Sequence, residues 1–390
     1  MKSLWERPLE ELAGLSYPCS CGRVHQVGIQ SISVGSGCIQ KLPAVLQKLG
    51  ARQVFLLADS FTHQAAGRQV EALLQGAGLP YHTRLFQTQT PLVPNEYALG
   101  SALAAMRDGD NLLLAVGSGT LNDLTKYLSA RTGVPYVIAA TAPSMDGYAS
   151  TVAPLILDGV KTTLPAVYPA AIVADTDILK EAPMPMLTAV FGDILGKFTA
   201  LRDWQLSRVL LGEYYCQEAA ALMERAVERC AQNAQGLARR DPQAVEAVTQ
   251  ALILSGVAMG MVGNSRPASG AEHHMAHYWE MDALARGEEH PLHGNAVGAA
   301  AVLSASLYQL AADQLPPGFP LPDKQRLLSL LKQAGGCASP KDLGIRRELC
   351  LESLLHAMEL RDRFTILRLL AGKGLLTACA IELVNQFYNS

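Results

Sequence analysis

The hydrophobic pattern changes character near Pro183, and that change restricts the chain to a fold with two unlike halves. Before it, short unbroken apolar runs alternate with segments of helical period. Residues 53–58, 81–86, 111–116 and 135–140 read as strands, and 152–157 and 171–174 add further strand-like runs, with Lys161-Thr162-Thr163 between those two. Amphipathic stretches cover 39–49, 62–77, 95–107 and 121–132. A parallel connection needs a crossover, and its strands are buried on both faces. The alternation therefore predicts an α/β domain with a mainly parallel sheet over residues 1–182. Beyond 183 the periodic segments are helical: 186–205, 213–239, 243–261, 272–285, 296–312 and 324–334, with more after Lys341. Residues 183–390 are predicted to form an all-helical C-terminal domain.

Composition excludes several classes of function. A chain of 390 residues that is 49% hydrophobic and 17% charged can bury two cores. The net charge is −3 and no basic stripe is present, which argues against nucleic acid and anionic membranes as partners. Met1 to Pro8 lacks the apolar core of a signal peptide. The longest apolar stretches, 251–263 and 296–312, are short for a bilayer and interrupted by Ser and Gly, so buried helices rather than membrane insertion are expected. Eight scattered cysteines fit reduced thiols in the cytoplasm. A homodimer or higher homo-oligomer is the default expectation.

Five of the nine histidines fall between His273 and His293. His273 and His277 lie one helical turn apart on one face, and His293 follows sixteen residues later, a pattern open to a divalent metal or to a solvated polar helix. Asp193, in Phe191-Gly192-Asp193, shares a helix face with Lys197 and would add an anionic oxygen. Ser269-x-x-Glu272 has capping-box spacing, which assigns Glu272 to the helix start. His274 points away from the His273 face, toward a surface or packing role, and His290 is expected to be solvated. In the first half, the run 112–116 enters Gly117-Ser118-Gly119-Thr120-Leu121-Asn122-Asp123, either a phosphate-binding turn at a helix N-terminus or simply a tight strand-to-helix turn. Thr141 to Ser150 forms a second loop at a strand's carboxyl end, with Asp146 and hydroxyls that can meet a polar ligand. Asp59, ending another strand, suits a ribose contact or a helix N-cap equally. Cys19-Ser20-Cys21 with His25 is one ligand short of a tetrahedral set, and no fourth is evident nearby in the sequence, so it reads as an ordinary N-terminal loop.

Taken together, residues 117–123, 141–150, Phe191-Gly192-Asp193, 265–273 and His293-Gly294 resemble the glycerol-1-phosphate dehydrogenase branch of the iron-containing alcohol dehydrogenase superfamily. The Ser-Arg-Pro-Ala-Ser-Gly run at 265–270 favours this branch, and the likeness spans roughly 34–302. The resemblance implies that Asp193, His273 and His293 hold a divalent ion. It implies that Gly119, Thr120, Leu121, Asn122, Asp123, Thr141, Ser144 and Ser150, with Asp59, hold the nicotinamide dinucleotide. Asp146, His277 and Asp193 would meet the substrate, with Asp146 and His277 catalytic through proton supply. The implied reaction is NAD(P)H-linked reduction of dihydroxyacetone phosphate to sn-glycerol 1-phosphate, with hydride transfer to C2 and the ion as Lewis acid. Many relatives carry His four residues after the metal Asp, where this chain has Lys197, which points to three protein ligands and to zinc or nickel rather than iron. Asp59 would repel a 2′-phosphate, favouring NAD, with NADP possible. Lys197, Arg266 and Asn264 are the candidates for the substrate phosphate. Alternatives are an NAD-dependent glycerol dehydrogenase and a dehydroquinate-synthase-type lyase.

Overall fold

The computed structural model describes residues 3–144 and 147–389. They fall into two compact units. The first holds residues up to 18 with 24–183 and 240–260; the second holds 19–23, 184–239 and 261 onward. This differs from the division expected at 182/183 in two places. The tip of an N-terminal hairpin joins the helices, and most of the helix Pro242–Val262 joins the sheet. Small residues explain the second difference. A Cβ on Gly256 would meet the backbone of Ala149 at 2.5 Å, so only glycine lets that helix lie so close.

Ten strands occur among the described residues: β1 (Ser16–Pro18), β2 (Val24–Gln26), β3 (Ser31–Gly35), β4 (Val54–Asp59), β5 (Tyr81–Phe86), β6 (Leu112–Gly117), β7 (Tyr136–Ala140), β8 (Val152–Leu157), β9 (Val160–Pro165) and β10 (Ala171–Asp175). Six build a parallel sheet in the order β3-β10-β7-β6-β4-β5. The four inner strands β10, β7, β6 and β4 are buried along their whole length, which is why they read as continuous apolar runs. Edge strand β3 alternates only weakly, and its short Ser-Ile-Ser-Val pattern gave no strand signal. Residues 161–163 are not a linker but part of β9, which pairs antiparallel with β8. The turn is Asp158-Gly159, both at positive φ (51° and 77°), a two-residue hairpin signal.

Chain order reverses between β4 and β6, since β5 follows β4 on one side and β7 follows β6 on the other. Ligands of open α/β sheets bind outside the carboxyl ends of strands at such a switch point. Asp59 ends β4, Gly117 ends β6, and Thr141 follows β7, donating its N–H to the Gly117 carbonyl at 3.0 Å.

The second unit is helical. Met184–Leu211, Ala271–Ala285 and His293–Leu310 carry its functional residues. Met275, Trp279, Leu303, Leu307, Leu354 and Leu370 share one buried core, and Trp279 Nε1 donates to Ser353 Oγ at 2.9 Å. The helix expected over 213–239 breaks at Asn233 into Gln217–Gln232 and Ala234–Ala238. Two helices, Met184–Leu211 and Pro242–Val262, are long and apolar enough to cross a bilayer, but 78% and 72% of their apolar windows are buried inside the protein. That burial marks them as core helices.

Candidate active site

Glycine decides how the metal-ligand candidates meet. Asp193 sits mid-helix in Met184–Leu211, and His293 is the first residue of His293–Leu310. A Cβ on Gly192 would lie 2.3 Å from the Gly294 carbonyl oxygen, and one on Gly294 would lie 1.8 Å from the Ala189 carbonyl oxygen. Each ligand therefore has a glycine beside it at the point where the two helix backbones touch. His273 arrives from the first turn of Ala271–Ala285.

Donor atoms of Asp193, His273 and His293 lie within 4.8 Å of one another. The His273 and His293 ring centroids are 5.4 Å apart, and His273 Nε2 stands 3.5 Å from Asp193 Oδ1. Each imidazole is fixed from behind by a carboxylate: His273 Nδ1 pairs with Glu272 Oε1 at 2.8 Å and His293 Nδ1 with Glu280 Oε1 at 2.6 Å. A proton on Nδ1 donated to these oxygens leaves Nε2 of both rings with its lone pair, the arrangement metal-binding histidines use. Lys197 Nζ donates to Asp193 Oδ1 at 2.5 Å, whereas Asp193 Oδ2 is buried with no hydrogen-bond partner. A buried carboxylate oxygen without a donor is costly, and a cation at that point relieves it. The residues fit a divalent ion.

Electrostatics agree with this arrangement. Burial alone would push the Asp193 carboxyl up, but Lys197, His273 and His293 outweigh it and hold the group below the usual carboxylate range. Burial opposes a charged His273, yet the hydrogen bonds to Asp193 and Glu272 raise it above the ordinary imidazole value. Burial likewise acts to raise Glu272, and its bond to His273 leaves it lowered. A second group of donors, His277, Glu280 and His293, also lies within 4.8 Å. Glu280 Oε1 is already engaged by His293 Nδ1, so the set containing the unpartnered Asp193 oxygen is the better site.

Glu272 corrects the capping-box expectation. Its helix is capped at Gly270 with no side-chain cap bond, and fully buried Glu272 accepts from Gly270 N, His273 Nδ1 and Thr199 Oγ1 instead. His274 packs rather than reaching the surface. It is completely buried, neither ring nitrogen has a hydrogen-bond partner, and burial with Arg361 and Arg363 pushes it down to about 2. His290 is exposed, as expected. His277 faces His293 at 5.1 Å between ring centroids, and a guanidinium nitrogen of Arg361 stands 3.5 Å from His277 Nε2. The phosphate candidates are otherwise committed. Lys197 is fully buried against Asp193, Arg266 is held by Glu213 and the Phe364 carbonyl, and Asn264 Oδ1 accepts from the Arg266 backbone. Glu280 and Arg361 carried no sequence signal, because only the fold brings them to the histidines.

In the first unit, the glycine turn joins β6 to the helix Gly119–Thr132, whose C-cap is Gly133 at φ 75°. Gly119 N donates to Ser144 Oγ at 3.2 Å, which unites the two loops expected to hold the dinucleotide. Gly119, Thr120 and Leu121 form the first turn of that helix, whose N–H groups have no partner within it. Asn122 and Asp123 face inward. Asn122 Nδ2 donates to the Gly147 carbonyl, and Tyr136 Oη donates to Asn122 Oδ1. Asp123 receives Lys126 Nζ at 2.9 Å. Lys126, fully buried and unremarked in the sequence, also donates to the Gly147 carbonyl, Ser150 Oγ and the Val152 carbonyl. These three side chains support residues 147–152 from beneath. Asp59 Oδ1 accepts from the N–H groups of Phe61 and Thr62, so the carboxylate is an N-cap. Asp146 lies outside the described residues.

Comparison with known proteins places the chain in a family. The family model for iron-containing alcohol dehydrogenase matches residues 33–183. A glycerol-1-phosphate dehydrogenase [NAD(P)+] of Halalkalibacterium halodurans is 36% identical over 385 residues, covering 92% of this chain and 96% of that protein. A protein of the same name from Bacillus licheniformis is 35% identical over 372 residues, covering 92% and 93%. Among solved structures, the maleylacetate reductase of Agrobacterium tumefaciens superposes with a TM-score of 0.71 over 94% of this chain and 98% of that one, at 14% identity, which speaks for the fold alone. With a third of its residues shared over nine-tenths of its length, the chain belongs to the glycerol-1-phosphate dehydrogenase family of iron-containing alcohol dehydrogenases.

Proposed function

We propose that this chain reduces dihydroxyacetone phosphate to sn-glycerol 1-phosphate with NAD(P)H. The observation that carries the reading is the buried Asp193–His273–His293 set with its unpartnered Oδ2, in a chain this similar to glycerol-1-phosphate dehydrogenases. When bound, NAD(P)H supplies a hydride to C2 and the divalent ion polarises the ketone. The chain's own residues do the rest. Asp193, His273 and His293 hold the ion, with Glu272 and Glu280 fixing the two rings. His277, partly exposed and flanked by Glu280, supplies the proton to the C2 oxygen, directly or through water and Asp146. Arg361 offers the guanidinium for the phosphate, in place of the engaged Lys197 and Arg266.

Gly119, Thr120 and Leu121 present backbone N–H groups to the pyrophosphate, with Thr141, Ser144 and Ser150 alongside and Asn122 and Asp123 supporting them from within. Both cap bonds of Asp59 fall on Oδ1, and its negative charge at the switch point would repel a 2′-phosphate, which favours NAD over NADP. Lys197, bonded to Asp193, stands where many relatives carry a fourth ligand, so three protein ligands remain, and we take the ion to be zinc or nickel. We also take the enzyme to be a cytoplasmic homo-oligomer. The exposed run Val209, Leu210 and Leu211 supports self-association, which size-exclusion chromatography measures.

The test is NADH oxidation by metal-reconstituted protein, with the product's enantiomer determined. Oxidation with dihydroxyacetone but not its phosphate would make the chain a glycerol dehydrogenase. Absence of net NADH consumption would leave the lyase reading.

A further inference from the structure

We propose that Cys19, Cys21, His25 and Cys216 form a second metal centre, a closed tetrahedral zinc site with a structural role. This inference does not rest on the catalytic reading. Cys19, Cys21 and His25 are brought together by one hairpin, in which β1 pairs with β2 and His25 stands opposite Tyr17. Its tip is a tight turn: Cys19 N donates to the Arg23 carbonyl at 2.9 Å, Gly22 N donates to the Cys19 carbonyl at 3.1 Å, and Gly22 takes φ 85°. The fourth ligand comes from far along the chain. Cys216, the N-cap of Gln217–Gln232, places its sulfur against that tip.

The four donor atoms lie within 4.8 Å of one another. Two sulfurs each about 2.3 Å from a tetrahedral ion stand about 3.7 Å apart. Cys19 Sγ and Cys216 Sγ are 3.7 Å apart. That distance is far beyond a disulfide's roughly 2 Å, and neither cysteine is disulfide-bonded. Three thiolates and one imidazole make a set that selects zinc and leaves no position open for substrate, in contrast to the open carboxylate–imidazole set at Asp193. The surroundings suit thiolate charge. Tyr214 Oη is 3.2 Å from Cys21 Sγ, and Ala219 N donates to Cys216 Sγ at 3.5 Å. The Arg23 guanidinium lies over the Tyr214 ring, 3.5 Å from its centroid, and its NH1 donates to the Val262 carbonyl. An ion here would staple the hairpin tip to the start of Gln217–Gln232, closing a loop of nearly two hundred residues.

The experiment uses the full-length protein. Bound zinc is measured by mass spectrometry after dialysis for wild type, His273→Ala, Cys216→Ser and Cys19→Ser/Cys21→Ser. The site predicts that His273→Ala keeps one zinc per chain and that both cysteine variants lose it. Wild type reloaded with cobalt(II) should show the strong visible bands of a tetrahedral site and a thiolate-to-cobalt charge-transfer band. That reading stands even if the cysteine variants fail to fold. Cysteine variants with wild-type zinc content, or a cobalt spectrum without thiolate charge transfer, would overturn the proposal.

Discussion

Gly192→Ala tests whether helix contact sets the metal geometry. An alanine Cβ would stand 2.3 Å from the Gly294 carbonyl oxygen and 3.4 Å from Gly298 Cα, about 1 Å short of ordinary contact at the first. The obstacle is backbone, so the helices Met184–Leu211 and His293–Leu310 must separate. His293 moves with its helix while Asp193 stays with the other. Metal ligands tolerate displacements of about 0.2 Å, so a shift several times larger removes one ligand from reach. Two stability effects oppose each other: overpacking costs about 1–3 kcal/mol, and replacing a helical glycine gains about 0.5–1 kcal/mol. The net loss is therefore small, about 0–2.5 kcal/mol, whereas metal affinity should fall by at least roughly 10–100-fold. Calorimetric metal titration and thermal unfolding of the same preparation separate the two. Gly100→Ala is the control, since its Cβ meets nothing within 4 Å; it should be neutral or stabilising with metal affinity unchanged. Wild-type metal affinity in Gly192→Ala would refute the claim that this contact positions the ligands.

Glu280→Gln and Glu272→Gln each keep size but lose the charge behind a ligand imidazole; metal affinity should drop roughly 10–100-fold, read by competition with a chelating dye. Lys126→Met leaves buried Asp123 without its cation, and should cost about 3–5 kcal/mol in denaturant unfolding and weaken NADH binding, because residues 147–152 lose three bonds at once. His273→Ala should abolish turnover and metal binding at the Asp193 set alone, while NADH affinity, followed by fluorescence, stays near wild type. His274 is held at about 2 by burial and by Arg361 and Arg363, against an ordinary 6.5. Between those values the unfolded chain binds a proton that the folded chain does not, so its contribution is full above the ordinary value and is lost as pH falls. In metal-free protein, His274→Leu should therefore flatten the acid-side loss of stability by up to about 1.4 kcal/mol per pH unit. Asp203, raised to about 7 by burial and Glu272, acts in the opposite direction, so the effect is read as wild type minus variant. Identical slopes in the two proteins would sink this assignment.

Sequence alone determined the class of fold, because strands buried on both faces must be apolar throughout and helices covering them must be amphipathic. That is why β4, β6, β7 and β10 were legible while β3, a short edge strand buried only at Ile32, was not. The glycine turn and the His273/His277 spacing were legible for a related reason, since residue type and short spacing carry their chemistry, whereas the ligand set Asp193, His273 and His293 was implied by the family resemblance. Tertiary structure alone decided which groups stand behind them. Glu272 is one residue from His273 and Glu280 is thirteen from His293, and nothing local distinguishes them from surface acids. Cys216 is 197 residues from Cys19, and Lys126 acquires its partners Gly147, Ser150 and Val152 only through the fold. Local pattern reports burial and period, whereas convergence of distant side chains depends on where whole helices touch, which here is set by backbone contact at Gly192 and Gly294.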